Sequence, residues 1–163
     1  MSSITPVRPI GFSVRRHSGF HTLTPYLIVN GAADAVRFYQ QAFGATEIME
    51  SLLDPGTGKT AHAELRIGDS PVMLTDEFPQ WQQHAPSGPT PVMLHLYVED
   101  ADAVFRQALK AGARELIAVS DQFYGARSGR LSDPFGHVWI IETHREDLSP
   151  DELRARYQGF VRQ

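Results

Sequence analysis

Hydrophobic and polar positions along the chain follow two periodicities, that of a strand and that of a helix, and the change from strand to helix spacing occurs twice. The stretches "TPYLIVNGAADAVRFYQQAFGA", from Thr24, and "MLHLYVEDADAVFRQALKAGA", from Met93, each begin with a strand-like apolar run and continue with helical spacing. Both helical segments end at a glycine, Gly44 and Gly112, the residue that most easily adopts the left-handed conformation of a helix C-terminus. The pattern therefore predicts a duplicated strand–helix unit.

More strand-like sequence follows each predicted helix. "TAHAELRI" and "PVMLT" flank the turn "GDS", and "SGRLS" and "HVWIIETH" flank the turn "DPFG", so each half contains a hairpin. A further strand is expected before each hairpin, around residues 46–53 and 114–119. The order is β-α-β-β-β, twice, which predicts an α+β fold of two tandem βαβββ modules.

The module boundaries follow from composition. The stretch "DEFPQWQQHAPSGPTP" is rich in Pro and Gln and is typical of a loop, which leaves modules at about 21–78 and 90–148 in a single domain. Residues 1–20 are rich in Pro, Gly, Ser and Arg and predict a flexible arm. Residues 149–163 predict a C-terminal helix with Ser149 and Glu152 as a capping box around Pro150.

The alternation within each strand predicts one apolar face against the helices and one mixed face. The mixed faces carry aromatic, imidazole and charged side chains, namely Tyr26, Ile28, His62, Glu64, Arg66, Met93, His95, Tyr97, Ile140, Glu142 and His144. Such faces are either exposed to solvent or form the walls of a cavity. Tyr26, Met93, Tyr97 and Ile140 are too apolar for a wholly wet surface, so the cavity is favoured.

Composition restricts the chemistry. The chain has 163 residues, a net charge of −4 and no cysteine. The lack of cysteine rules out disulfides and thiolate catalysis, and it fits a cytoplasmic protein. The acidic balance argues against a general nucleic-acid surface, and no apolar run is long enough to span a membrane. A small-molecule ligand is the expected partner.

The first candidate cluster lies on the strand "TAHAELRI". His62 and Glu64 are the candidate acid/base residues, and Arg66 can anchor a substrate carboxylate or phosphate. The alternative is a cross-strand ion network or part of a dimer contact.

The second candidate cluster contains His95, Glu142 and His144. Two imidazoles and a carboxylate can bind a divalent metal with open positions, and His95 and Glu142, with His62 as a further candidate, are the predicted ligands. The alternative is a histidine hydrogen-bonded to Glu142. Arg127, in "YGARSGR", either holds an anion at the mouth of the cavity or pairs with the acids of "HREDLSP". The glycines around it suggest backbone close to a ligand.

The motifs "AVRFYQQAFGA", "HAELRIGDSPVMLTDE" and "YGARSGRLSDPFGHVWII" resemble the vicinal oxygen chelate superfamily, which includes glyoxalases, bleomycin-resistance proteins and dioxygenases. The chain is most similar to its PhnB-like branch, from about Thr24 to Pro150. The resemblance implies a half-open, cup-shaped mixed sheet with helices outside, a small-molecule pocket and a homodimer.

The resemblance also implies where a metal would be bound. On the shared motifs, the superfamily's usual ligand positions fall on Thr24, Leu74, Met93 and Ile140, and none of these is a histidine or carboxylate. No cofactor is therefore assigned, and a divalent metal is expected only at a displaced site. Two functions stay open: an enzyme of the lyase, isomerase or dioxygenase type acting on a small oxygenated molecule, and a non-catalytic protein that sequesters a ligand or drug.

Overall fold

The computed structural model describes residues 18–162. Its strands are β1 (Tyr26–Val29), β2 (Thr46–Leu53), β3 (Thr60–Ile67), β4 (Ser70–Asp76), β5 (Met93–Tyr97), β6 (Arg114–Gln122), β7 (Ala126–Ser132) and β8 (Val138–His144). The helices are α1 (Ala32–Phe43), α2 (Ala101–Ala111) and α3 (Pro150–Phe160), with a 3₁₀ turn at Pro79–Trp81. The arm predicted for residues 1–20 lies almost entirely outside the described residues.

Each module forms its own four-stranded mixed sheet. The strand orders are β1-β4-β3-β2 and β5-β8-β7-β6, in which the first pair is parallel and the other two pairs are antiparallel. This confirms the predicted α+β fold of two βαβββ modules. Both sheets are open rather than closed into barrels. Strand β6 runs three residues further than predicted, because the chain turns only at Gly125, which has a φ of 83°.

The helix ends follow the duplication closely. Gly44 and Gly112 both adopt the left-handed conformation and close α1 and α2, as predicted. At the other ends, Asp76 Oδ1 accepts the Ala32 N–H of α1 at 2.9 Å, and Thr143 Oγ1 accepts the Ala101 N–H of α2 at 2.8 Å. Each helix start is therefore satisfied by the end of a strand in its own module.

The helix-facing sides of the two sheets contribute to one shared core. Tyr39 and Phe43 of α1 pack against Trp139 of β8, with ring centroids 5.5 and 4.7 Å apart. The Tyr39 hydroxyl also donates a hydrogen bond to Asp133, in the turn before β8. Apolar contact and a buried hydrogen bond thus hold the second module against α1.

The opposite sides of the sheets, here called the open faces, mix exposed, half-buried and buried side chains. The predicted alternation is confirmed along β1, β3 and β8, where Leu27, Leu65 and Ile141 point into the core. Val92 precedes β5 and does not continue this alternation, since it is 67% exposed. The open faces line separate cavities in one chain. Tyr26 and Ile28 line a cavity of about 380 Å³, and Ile140 lines another of about 220 Å³.

Helix α3 begins with the predicted capping box between Ser149 and Glu152. It has no buried residue, and it reaches the second module through Phe123, whose ring lies 5.5 Å from Tyr157 and 5.0 Å from Phe160. The helix is therefore attached by its aromatic side chains next to the open face of the second sheet.

Candidate functional site

Strand register determines which side chains share an open face. In the first sheet, Met73 of β4 lies between Tyr26 of β1 and Glu64 of β3. In the second sheet, Ile140 of β8 lies between His95 of β5 and Arg130 of β7. Because neighbours across a strand pair point to the same side, these rows define the two faces on which a ligand would be bound.

The first open face carries a Tyr–His–Glu cluster. The Tyr26 ring stacks on the His62 ring, with centroids 5.9 Å apart and planes at 30°. His62 Nε2 lies 3.0 Å from Glu64 Oε1, and Glu64 is only 8% exposed. A carboxylate this deeply buried needs a partner, and the imidazole is the partner it has.

The second open face carries a similar cluster built from different strands. His95 stacks on Tyr97 of the same strand, with ring centroids 4.6 Å apart and planes at 15°. His95 Nε2 lies 3.1 Å from Glu142 Oε2, and Glu142 is 3% exposed. The two atoms are within ion-pair distance, yet their orientation makes no hydrogen bond, so this oxygen is a buried acceptor without a hydrogen-bond partner among residues 18–162. Such an atom calls for a functional or structural explanation.

Arg127 lies on the other side of its strand from the candidate ligand face. It makes a two-pronged contact with Asp102 of α2, at 2.5 and 2.8 Å, and also contacts Asp121 at 3.1 Å. The hydrogen bonds from Arg127 lower the pKa of Asp102. Arg127 therefore pairs with acids, but with Asp102 and Asp121 and not with those of "HREDLSP" as expected, and it does not reach the open face where it was predicted as a pocket residue.

Gly129, two residues after Arg127, is a glycine for a structural reason. A Cβ built on Gly129 would lie 2.9 Å from the Phe105 ring of α2 and 2.9 Å from Val119. The space at Gly129 is taken by the core and not by a ligand, which corrects the sequence interpretation. Arg66 lies at the far end of the first open face, where it donates a hydrogen bond to the Asp69 carbonyl at 3.3 Å.

The sequence prediction missed Arg130, which shares the second open face with Ile140 and lines the cavity of about 220 Å³. The signal was present, because Leu131 belongs to the apolar set and its neighbour must therefore point the other way. Ser128 was missed for the same reason. It is buried, pairs with Glu142 across the strands, and lies 3.1 Å from the Tyr124 hydroxyl.

Comparison with known proteins places the chain in a family. Residues 19–141 match the family model described as "Glyoxalase/Bleomycin resistance protein/Dioxygenase superfamily". The chain belongs to this superfamily. An uncharacterized protein of Mycobacterium tuberculosis is 43% identical over 139 residues, covering 82% of this chain and 80% of that protein. An uncharacterized protein of Arabidopsis thaliana is 31% identical over 137 residues, covering 78% and 82%.

Solved structures agree on the fold. Protein PA1353 from Pseudomonas aeruginosa has a TM-score of 0.61 at 25% identity, covering 76% of this chain and 98% of that chain. A PhnB protein from Bacillus cereus, described as a putative 3-demethylubiquinone-9 3-methyltransferase, has a TM-score of 0.61 at 20% identity, covering 76% and 99%. The fold is therefore shared with the superfamily, while the function stays open.

The superfamily's usual metal positions can now be placed on the strands, and one of them needs correction. Leu74 was assigned to such a position, but it is fully buried on the helix side, opposite Leu27 and Ala63. Met73 is the open-face residue that corresponds to Ile140, because Met73 pairs with Tyr26 as Ile140 pairs with His95. The conclusion is unchanged, since a methionine is no better a ligand than leucine for the divalent metals of these enzymes.

The set Thr24, Met73, Met93 and Ile140 offers one hydroxyl, two thioethers and a hydrocarbon, which does not fit a Zn, Ni, Mn or Fe(II) site. The displaced site predicted from His95 and Glu142 has two ligands, and within residues 18–162 no group of three or more His, Asp or Glu is placed to hold a metal ion. His144 contacts Asp147 at 2.8 Å instead of joining His95 and Glu142.

Proposed function

We propose that this protein binds a small oxygenated organic molecule on its open faces and acts on it as an acid/base enzyme. The observation that carries the proposal is the histidine paired with a buried carboxylate and stacked on a tyrosine, found once on each open face. Superfamily membership supports a small-molecule ligand.

The geometry suits a general base. When the His62 Nε2–H is donated to Glu64, the imidazole lone pair resides on Nδ1, which is then the atom that accepts a proton from the substrate. The carboxylate holds the ring in one orientation and stabilises the imidazolium that forms. Tyr26 restricts the ring from its face. A base of this kind supports removal of a proton from a carbon next to a carbonyl group. The C–H electron pair moves into an enolate whose oxygen carries the charge, and the imidazolium of His62 then returns the proton to carbon.

We infer further that two copies associate. Large apolar side chains are exposed along β2 and β6 as well as on the open faces, among them Leu52, Leu53 and Ile117. Exposed apolar surface of this extent commonly marks an interface. A second copy would cover it and would complete the walls of the cavities, which a single chain leaves open.

Deuterium exchange tests the activity directly. The protein is incubated in D₂O with a panel of α-hydroxyketones, β-keto acids and 1,2-dicarbonyl compounds, and loss of the C–H signal is followed by proton NMR. We expect catalysed exchange for a subset of compounds, and a loss of about 10²-fold or more when His62→Gln and His95→Gln are combined, because each single variant leaves the other histidine in place. His144→Gln, which changes an exposed histidine paired with Asp147, is the matched control. Exchange that persists in the double variant would overturn the acid/base assignment.

The second candidate function is sequestration of a ligand, as in bleomycin resistance. The favouring observation is the exposed aromatic stack on the second sheet, where Tyr97 is 65% exposed above His95. The same panel separates the two functions, because sequestration gives binding without exchange.

The proposed setting is the cytoplasm, which suits a cysteine-free chain. Within the described part of the chain, no helix is long and apolar enough to cross a membrane.

A further inference from the structure

The second open face has an unpaired cation beside an aromatic wall, and this pair of features goes beyond the acid/base proposal. We propose that the cavity of about 220 Å³ beneath α3 is a binding site for an aromatic carboxylate, with Arg130 as the carboxylate anchor. The inference rests on the proposed function in that it assumes a ligand on the same open face, and it names the chemical class of that ligand.

Arg130 differs from the other arginines of its surroundings. Arg127 and Arg145 both contact Asp121, and Arg156 contacts Glu146 at 2.8 Å. The Arg130 guanidinium, in contrast, has no ion pair or hydrogen bond with any residue that the structure describes, and its cross-strand neighbours are Ile117 and Ile140. An arginine between two isoleucines can form the two-pronged contact that carboxylates favour, and no protein carboxylate competes for it.

The walls of the cavity select for a ring. Phe123 stacks on Phe160 with centroids 5.0 Å apart and planes at 28°, and both side chains line the cavity together with Ile117 and Ile140. Flat aromatic and branched aliphatic surfaces favour a planar apolar body over a flexible polar one. The volume is smaller than the roughly 300–1,000 Å³ typical of sites for drug-sized ligands, so one ring is the expected size.

Helix α3 lies outside the part of the chain that matches the family model. The superfamily match ends at Ile141, and α3 begins at Pro150, so Phe160 belongs to an element outside the matched region. Phe123 lies in the turn between β6 and β7 and connects α3 to the sheet. The aromatic wall is therefore supplied in part by a segment outside the family match.

Two hydroxyl groups, from Tyr124 and Ser128, also line the cavity. The Tyr124 hydroxyl and Ser128 Oγ are 3.1 Å apart, and Ser128 is buried next to Glu142 in the strand register. Between them, these hydroxyls can donate to or accept from a substituent on the ring. A ring with a carboxylate at one end and a hydroxyl at the other thus matches both polar ends of the site.

Three probes separate charge from ring shape. Benzoate has both, benzamide keeps the ring without the charge, and cyclohexanecarboxylate keeps the charge without the aromatic ring. Affinities for the full chain are measured by isothermal titration calorimetry, and the site is located by NMR shifts of the methyl groups of Ile117 and Ile140. We expect benzoate to bind at least about tenfold more tightly than either of the other probes.

The variants locate the effect. Arg130→Gln is expected to weaken benzoate binding by about tenfold to a hundredfold and to leave benzamide binding unchanged, while Arg130→Lys retains part of the affinity. Phe160→Ala is expected to weaken both ring-bearing probes equally. Arg106→Gln, on the exposed side of α2, is the matched control, and circular dichroism checks that each variant is folded.

Three results would overturn the inference: equal affinity for benzoate and benzamide, unchanged benzoate binding in Arg130→Gln, or no benzoate binding at all. Failure of the acid/base proposal is a separate result. If deuterium exchange is absent but benzoate binds through Arg130, the aromatic-carboxylate site stands and the enzyme proposal fails. If exchange occurs and benzoate does not bind, the reverse holds.

Discussion

Tyr39 donates a hydrogen bond of 2.6 Å to Asp133, a residue 94 positions further along the chain. Asp133 Oδ2 also accepts from Trp139 Nε1 at 3.0 Å, and Asp133 Oδ1 accepts the N–H groups of Phe135 and His137, both at 2.9 Å. One buried carboxylate thus forms its own turn, fixes the indole of the core and binds the helix of the other module.

Removal of this carboxylate should be costly. Asp133→Ala leaves the Tyr39 hydroxyl and the Trp139 N–H buried without acceptors, so we expect the free energy of unfolding to fall by on the order of 3–5 kcal/mol. Tyr39→Phe removes only one donor and should cost about 1.5–3 kcal/mol. Urea denaturation measures both. An Asp133→Ala protein with wild-type stability would show that the connection is incidental.

Tyr39 also predicts a pH dependence. Burial, and then the charge of Asp133 and its hydrogen bond, raise the pKa of Tyr39 well above its ordinary value of 10.0. Above pH 10 the unfolded phenol releases its proton while the folded one keeps it, so the unfolded state binds fewer protons. We therefore expect the free energy of unfolding to fall as the pH rises above 10. The fall should be shallower in Tyr39→Phe, and identical curves for the two proteins would contradict the prediction.

Gly129 gives a prediction about packing. Gly129→Ala places a Cβ 2.9 Å from the Phe105 ring, 2.9 Å from Val119 and 3.0 Å from the Ile117 carbonyl oxygen. These core side chains and the backbone of β6 would have to move to make room for it. We expect a loss of about 1–3 kcal/mol in the free energy of unfolding. The control is Gly159→Ala in α3, where no atom lies within 4 Å of the new Cβ. There the same change should be neutral or stabilising.

The donor set predicts a weak response to metals. The usual positions hold Thr24, Met73, Met93 and Ile140, and the His–Glu pairs supply two ligands each. Dialysis against EDTA should therefore leave the melting temperature unchanged, and equimolar Zn²⁺, Ni²⁺ or Mn²⁺ should not raise it. Submillimolar affinity for any of these ions in equilibrium dialysis would require a ligand set that the described residues do not form in one chain.

The proposed association of two copies predicts a mass change. Leu53 is 61% exposed at the end of β2, so Leu53→Asp should not disturb the core of a single chain. We expect light scattering to give the mass of a dimer for the wild type and a shift towards the monomer for Leu53→Asp. A wild type that is monomeric at micromolar concentration would remove the dimer from the proposal.

The fold could be predicted because its signals are local. Alternation in "TAHAELRI" decides that Leu65 is buried and Glu64 lies opposite, and Gly44 and Gly112 mark the helix ends without any tertiary information. The site depends on where strands begin and how they pair. The superfamily's metal position was assigned to Leu74 and not to Met73, because motif similarity does not determine the register between strands.

Arg127 and Arg130 show the same limit. Both lie in "YGARSGR", and alternation places them on opposite faces of β7. Only the pairing of β7 with β8 shows that Arg130 lies beside Ile140, and only the packing of α2 brings Asp102 to Arg127. The orientation that leaves Glu142 Oε2 without a hydrogen bond is a matter of side-chain rotamers, which strand periodicity does not specify.

The caps on α1 and α2 have a consequence for how the two halves have diverged. Asp76 and Thr143 lie at corresponding strand ends, and each accepts an N–H at the start of a helix, one through a carboxylate and the other through a hydroxyl. The position therefore requires an acceptor oxygen and not a charge. Corresponding positions of the two modules can therefore be compared. Where they agree, as at Val29 and Val98, the scaffold imposes the residue. Where they disagree on the open faces, the difference is one of charge: Glu64 pairs with Met73 in the first sheet, and Arg130 pairs with Ile140 at the corresponding position of the second. The first open face therefore has an anion where the second has a cation, and the two faces present opposite charges to a ligand.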